Sequence, residues 1–117
     1  MRTMLAAITG LALFIGLSFS RPVAAHPSMD IVASNWKFTP GTITLHVGET
    51  TQLRLTSSEG VHGIESSDLG IPKTTIMPGK FTTVDVTPKK AGTYTIHCSI
   101  VCGSGHADMV LTVHVES

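Results

Sequence analysis

Along most of the chain beyond residue 42, apolar side chains recur at every second position. Ile43, Leu45 and Val47 alternate with Thr44 and His46, and Leu53 and Leu55 with Arg54 and Thr56. Tyr94 and Ile96 alternate with Thr93, Thr95 and His97, while Met109, Leu111, Val113 and Val115 alternate with Val110, Thr112 and His114. A period of two belongs to strands with one buried face, and no stretch here carries a useful helical period. Gly48-Glu49 and Lys89-Lys90-Ala91-Gly92 supply turns, and Phe81 to Val86 reads as a strand closed by Pro88. Short strands punctuated this way predict an all-β sandwich or barrel. Ser57 to Thr75 shows little period of any kind and reads as a long loop, the sort of segment that often carries function.

The start of the chain is different. Arg2 is followed by an apolar run from Met4 to Phe19, then Arg21, Pro22 and the small residues Val23-Ala24-Ala25. That pattern is a secretory signal peptide, with cleavage after Ala25 and a domain over 26–117; the competing reading retains residues 1–25 as a membrane anchor. Either way the domain is periplasmic or otherwise exported, with membrane contact only if the segment stays attached. Excluding Arg2 and Arg21, six basic residues face eight acidic ones, with no basic stripe. Nucleic acid is therefore excluded as an expected partner.

Strand parity then places the chemistry. Continuing the inward register of Tyr94 and Ile96 brings Cys98 to the core side, and Met109 shares the inward register of Leu111. Between them runs Cys98-Ser-Ile-Val-Cys102-Gly-Ser-Gly-His106-Ala-Asp-Met109. In an exported chain two cysteines ordinarily form a disulfide, but a disulfide explains neither His106 nor Met109. Two thiolates, an imidazole and a thioether form a soft donor set suited to copper. Cys, His and Met on the loop into a last strand suit a mononuclear electron-transfer site, whose second imidazole would come from His62. That site leaves Cys98 unused; with both sulfurs bridging, two copper ions are held. Gly103 and Gly105 let the loop fold back so that His106 reaches the site. His46, His97 and His114 fall on the polar parity and are expected in solvent.

The twelve residues from Cys98 to Met109 resemble the binuclear CuA loop of cytochrome c oxidase subunit II, also found in nitrous oxide reductase. Supporting pieces are Trp36-Lys-Phe-Thr-Pro40, Gly48-Glu49, Val61-His62-Gly63, Pro78-Gly79 and Ala91-Gly92-Thr93-Tyr94. The resemblance implies a cupredoxin-like Greek-key β-sandwich holding two copper ions. It implies that Cys98 and Cys102 bridge both ions, that His62 and Met109 complete one, and that His106 and the Ile100 carbonyl complete the other. It also implies electron transfer without bond rearrangement, from a cytochrome c or other small redox protein to a terminal acceptor. The domain would act alone or with oxidase subunits, and copper chaperones would load it. Where the family often has an acidic or amide residue, this chain has Ile100; a carbonyl ligand tolerates the change. Two other readings stand beside this one: a copper chaperone or storage protein, and a mononuclear blue copper protein.

Trp36, the single tryptophan, is expected in the sandwich core, and the resemblance suggests a second role as an entry point for electrons at the copper loop. Met29 and Met77 are expected as packing or surface residues. His26 would become N-terminal after cleavage, but nothing near it in sequence completes a chelate. Glu59, Glu65, Asp68 and Asp108 are expected around the copper end, where they would steer a basic partner.

Overall fold

The structure, a computed structural model, describes residues 26–117 together with the single glycines at 10 and 16. The signal-peptide expectation lies outside the described residues. Nine strands follow in order: β1 (Ser28–Ser34), β2 (Lys37–Thr39), β3 (Thr42–His46), β4 (Thr51–Ser57), β5 (His62–Ser66), β6 (Ile71–Ile76), β7 (Thr82–Val86), β8 (Gly92–His97) and β9 (Val110–Glu116). One 3₁₀ turn, His106–Asp108, interrupts the last connection. Among the described residues no helix is long and apolar enough to cross a membrane.

Two sheets face each other, ordered β2-β1-β4-β7 and β3-β9-β8, with β5 and β6 as a separate hairpin. β1 runs parallel to β4 and β3 parallel to β9, and the other pairings are antiparallel. Parallel neighbours far apart in sequence require the chain to cross between sheets, and the crossover at Pro40–Gly41 carries it from β2 into β3. Ile31, Ala33, Leu53, Leu55 and Val86 from one sheet meet Ile43, Leu45, Ile96, Leu111, Val113 and Val115 from the other. Each Val, Leu or Ile side chain among them, removed from water, contributes about 1.5–3 kcal/mol.

Within β3, β4, β8 and β9 the alternation read from the sequence matches the buried faces, and His46, His97 and His114 are exposed. Val47, grouped with Ile43 and Leu45, instead lies past the end of β3 and is exposed. Two further expectations need correction. Ser57 to Thr75 is not a long loop, because it contains β5 and most of β6. The first three residues of β5 are all buried and a register shift lies between Ile64 and Ser66, so no period of two survives. Phe81 precedes its strand and is half exposed, under the Arg54 guanidinium at 4.3 Å, while Arg54 also pairs with Asp30. β1 went unread, because Val32 on its outer face is also apolar and blurs the alternation of Ile31 and Ala33.

Leu55, fully buried between the sheets, reports on this core. Leu55→Ala is expected to destabilise the domain by about 2–5 kcal/mol in denaturant unfolding, from lost transfer energy and a cavity that close packing cannot refill.

Candidate metal centre

The ladder between β8 and β9 extends one rung past the strands. His97 pairs with Val110, and beyond it the Cys98 N–H donates to the Met109 carbonyl at 3.1 Å. Cys98 and Met109 are both buried. The ten residues from Ser99 to Asp108 therefore leave and return at one closed rung. A second tie runs from the Ser99 N–H to the Gly63 carbonyl at 3.0 Å, which draws β5 against the loop. A Cβ on Gly63 would lie 2.6 Å from Ser99 Oγ and 3.0 Å from Ile100 Cδ1, so only glycine admits this approach.

These ties converge six groups. The Cys98 and Cys102 sulfurs lie 3.5 Å apart, well beyond the roughly 2.05 Å of a disulfide, as two free thiols. The Cys98 thiol donates to the Ile100 carbonyl at 3.1 Å, and His62 Nδ1 faces the same sulfur at 4.0 Å. Cys102 Sγ faces His106 Nδ1 at 3.6 Å and Met109 Sδ at 3.8 Å. The donor atoms of His62, Cys98 and Cys102 all lie within 4.8 Å of one another. The structure thus brings together His62, Cys98, Ile100, Cys102, His106 and Met109. Two thiols, two imidazoles, a thioether and a carbonyl turned toward one point form a set that fits copper and suits hard cations poorly.

His62 is fully buried, and its Nε2 lies 2.8 Å from the Glu59 carbonyl. A carbonyl only accepts, so Nε2 carries the proton and Nδ1 is left as a donor atom toward Cys98. The sequence signalled His62 as the missing second imidazole and through the Val61-His62-Gly63 resemblance; the orienting carbonyl of Glu59 could not be read from it.

Trp36 corrects its expected place. It is 40% exposed and outside the core, with its ring against Gly103 and Gly105 and its Nε1–H donating to the Cys102 carbonyl at 3.0 Å. A Cβ on Gly105 would overlap the indole, and one on Gly103 would lie 3.0 Å from Nε1. Glu59 and Asp108 lie in the loops at this end, and Glu65 and Asp68 line a surface groove with His97, Cys98 and Ser99, while Asp68 also borders grooves beside Lys89 and Lys90. Met29 is half-buried against the core and Met77 is exposed at the surface.

The profile of the cupredoxin-like domain family matches residues 6–113, and the chain belongs to that family. It is 30% identical over 88 residues to a cytochrome c oxidase subunit 2 of Thermus thermophilus, an alignment covering 74% of this chain and 63% of that protein. The chain spans about half to two-thirds of the length of the curated relatives it matches first. In fold it is similar to the periplasmic domain of subunit II of the Bradyrhizobium japonicum cytochrome oxidase, with TM-score 0.70 and 17% identity over 78% of this chain and 84% of that one. A subunit II domain solved as a mixed disulfide with a thioredoxin-like protein superposes with TM-score 0.65 at 16% identity, over 85% and 87% of the two chains.

Burial and the adjoining Cys98 thiol push the Cys102 thiol from its ordinary 9.0 up to about 11. It is therefore protonated at neutral pH, and a thiophilic metal must displace that proton. Copper(I) affinity, titrated against a competing chelator between pH 6 and 8, is expected to rise by about tenfold per pH unit for each thiol proton released.

Proposed function

We propose that the domain is an electron carrier with a binuclear, thiolate-bridged copper centre of the CuA type. The observation that supports this reading is the pair of free thiols at 3.5 Å, each with its own imidazole, His62 beside Cys98 and His106 beside Cys102. In this reading Cys98 and Cys102 bridge both ions, His62 and Met109 complete one, and His106 and the Ile100 carbonyl complete the other. When bound, such a pair takes up and releases a single electron shared across both ions.

The protein's own contribution is to hold the donors still. Cys98 and Met109 are fixed by the ladder rung, His62 by the Glu59 carbonyl, and Cys102 by the Trp36 indole N–H. Donors that stay put through a change of charge lower the rearrangement each transfer requires. His62, Cys98 and Met109 are buried and exclude water, while the half-buried His106 lies toward the surface. The chain would rearrange no bond itself.

The partners follow from the same reading. A cytochrome c or similar small redox protein would donate, a terminal acceptor would receive, and the domain would be exported, acting alone or with oxidase subunits. Copper chaperones would load the site. A thioredoxin-like reductant suits the thiol pair, which must be reduced before it can accept metal.

Metal count and electron paramagnetic resonance test the reading. The copper-loaded chain is expected to hold two ions, to be purple, and to show hyperfine splitting from two equivalent nuclei. Cys98→Ser is expected to abolish that signal. One copper with a single-nucleus blue spectrum, unchanged in Cys98→Ser, would mark a mononuclear protein. Colourless copper(I) released readily to a competing site would mark a chaperone.

A further inference from the structure

The six donors stand on separate stretches of chain, with His62 at the start of β5 and Cys102 in the connection between β8 and β9. One short turn touches both. Asn35 and Trp36 connect β1 to β2, far from either stretch in sequence. On one side the Asn35 N–H donates to Glu59 Oε1 at 2.9 Å, and the Glu59 carbonyl is the group that orients His62 at 2.8 Å. On the other side the Trp36 Nε1–H donates to the Cys102 carbonyl at 3.0 Å.

Two features set this turn apart from ordinary loop packing. Tight turns favour Gly, Asn, Asp, Pro and Ser, each for a backbone reason, and Trp36 offers none of these. Its ring does not serve the core either, since it lies on the loop glycines Gly103 and Gly105. The approach of Asn35 to the imidazole also depends on a missing side chain. Gly60 has φ +75°, and a Cβ there would stand 2.9 Å from Asn35 Oδ1 and 3.2 Å from His62 Nε2. The connection from Ser57 to His62 is closed further by the Ser57 hydroxyl, which lies within hydrogen-bond distance of the carbonyls of Glu59 and Gly60.

We infer that the Asn35–Trp36 turn is a clamp that fixes the His62 side of the centre relative to the Cys102 side, with Glu59 and Trp36 as its two positioning residues. Neither side chain is placed among the donors. Glu59 acts through the backbone that orients the imidazole, and Trp36 through the carbonyl of a bridging cysteine. Loosening either grip lets the two halves of the donor set drift apart. This inference rests on the proposed copper centre for its consequence, but the clamp itself exists without metal.

The test has two parts. In the metal-free full chain, hydrogen exchange by nuclear magnetic resonance follows the Asn35 amide and the Trp36 indole N–H. Glu59→Ala is expected to speed exchange at both by about fivefold, the worth of one modest hydrogen bond. Glu59→Gln keeps an acceptor oxygen and is expected to stay within about twofold of the natural chain at both. In the copper-loaded chain, Glu59→Ala and Trp36→Phe are each expected to speed copper loss to a chelator. Their double variant should fall short of the product of the two, because both act through one turn. Indole exchange unmoved by Glu59→Ala, Glu59→Gln behaving like Glu59→Ala, or multiplicative copper loss would each overturn the clamp. A chain that takes up one copper would overturn the binuclear reading instead, and the exchange measurements would still decide the clamp.

Discussion

A single backbone hydrogen bond, from the Cys98 N–H to the Met109 carbonyl at 3.1 Å, sets the frame for everything at this end of the molecule. It extends the β8–β9 ladder past the last strand residues, so both ends of the donor loop inherit the rigidity of the sheet. Because both residues continue an inward register, a thiol and a thioether enter the sandwich interior from the same rung. The loop between them then has to close over a short span, and its glycines and its contacts with β5 and Trp36 follow from that need.

Burial gives the donor set its character. His62, Cys98 and Met109 are lost to water, and the adjacent thiols make ionisation of Cys102 costly without a cation. Such a pocket resists protons leaving unless a soft metal replaces them, which couples loading to proton release. The same proximity makes the thiol pair oxidisable in an oxidising compartment, where reduction and metallation would become linked steps. In the proposed reading, attachment of the donors to one sheet and a hairpin favours electron transfer over release of metal, because handing metal on requires donors that can move.

Around the centre, absent side chains matter as much as present ones. Gly63 admits Ser99 and Ile100, Gly60 admits Asn35 beside the imidazole, and Gly105 admits the indole. Each is a place where two segments distant in sequence approach closer than a methyl group allows. Four of the six large hydrophobic residues exposed among the described residues, Trp36, Val61, Met77 and Val101, lie in or beside the segments that form this end. Glu59 and Asp108 in the loops, with Glu65 and Asp68 along the groove beside Cys98, add an acidic component to this partly apolar end.

The local pattern of the chain determined the fold class and the donor loop. Period-two alternation needs only neighbouring residues to be legible, and it carried β3, β4, β8, β9 and the inward aim of Cys98 and Met109. The spacing from Cys98 to His106 and Met109 is likewise local, so its soft chemistry could be read directly. Tertiary structure alone decided the rest. β5 was hidden because burial on both faces, together with a register shift, erases alternation, and β6 because its buried positions Ile71, Thr74 and Ile76 do not keep a period of two. Trp36 was misplaced because an apolar ring carries no record of whether it meets a core or a loop. Only the crossing of the chain between sheets brings the 35–36 turn against Glu59 and Cys102, partners separated by 24 and 66 positions in sequence. Contacts across such separations depend on how the sheets pack, and no window of sequence contains that packing.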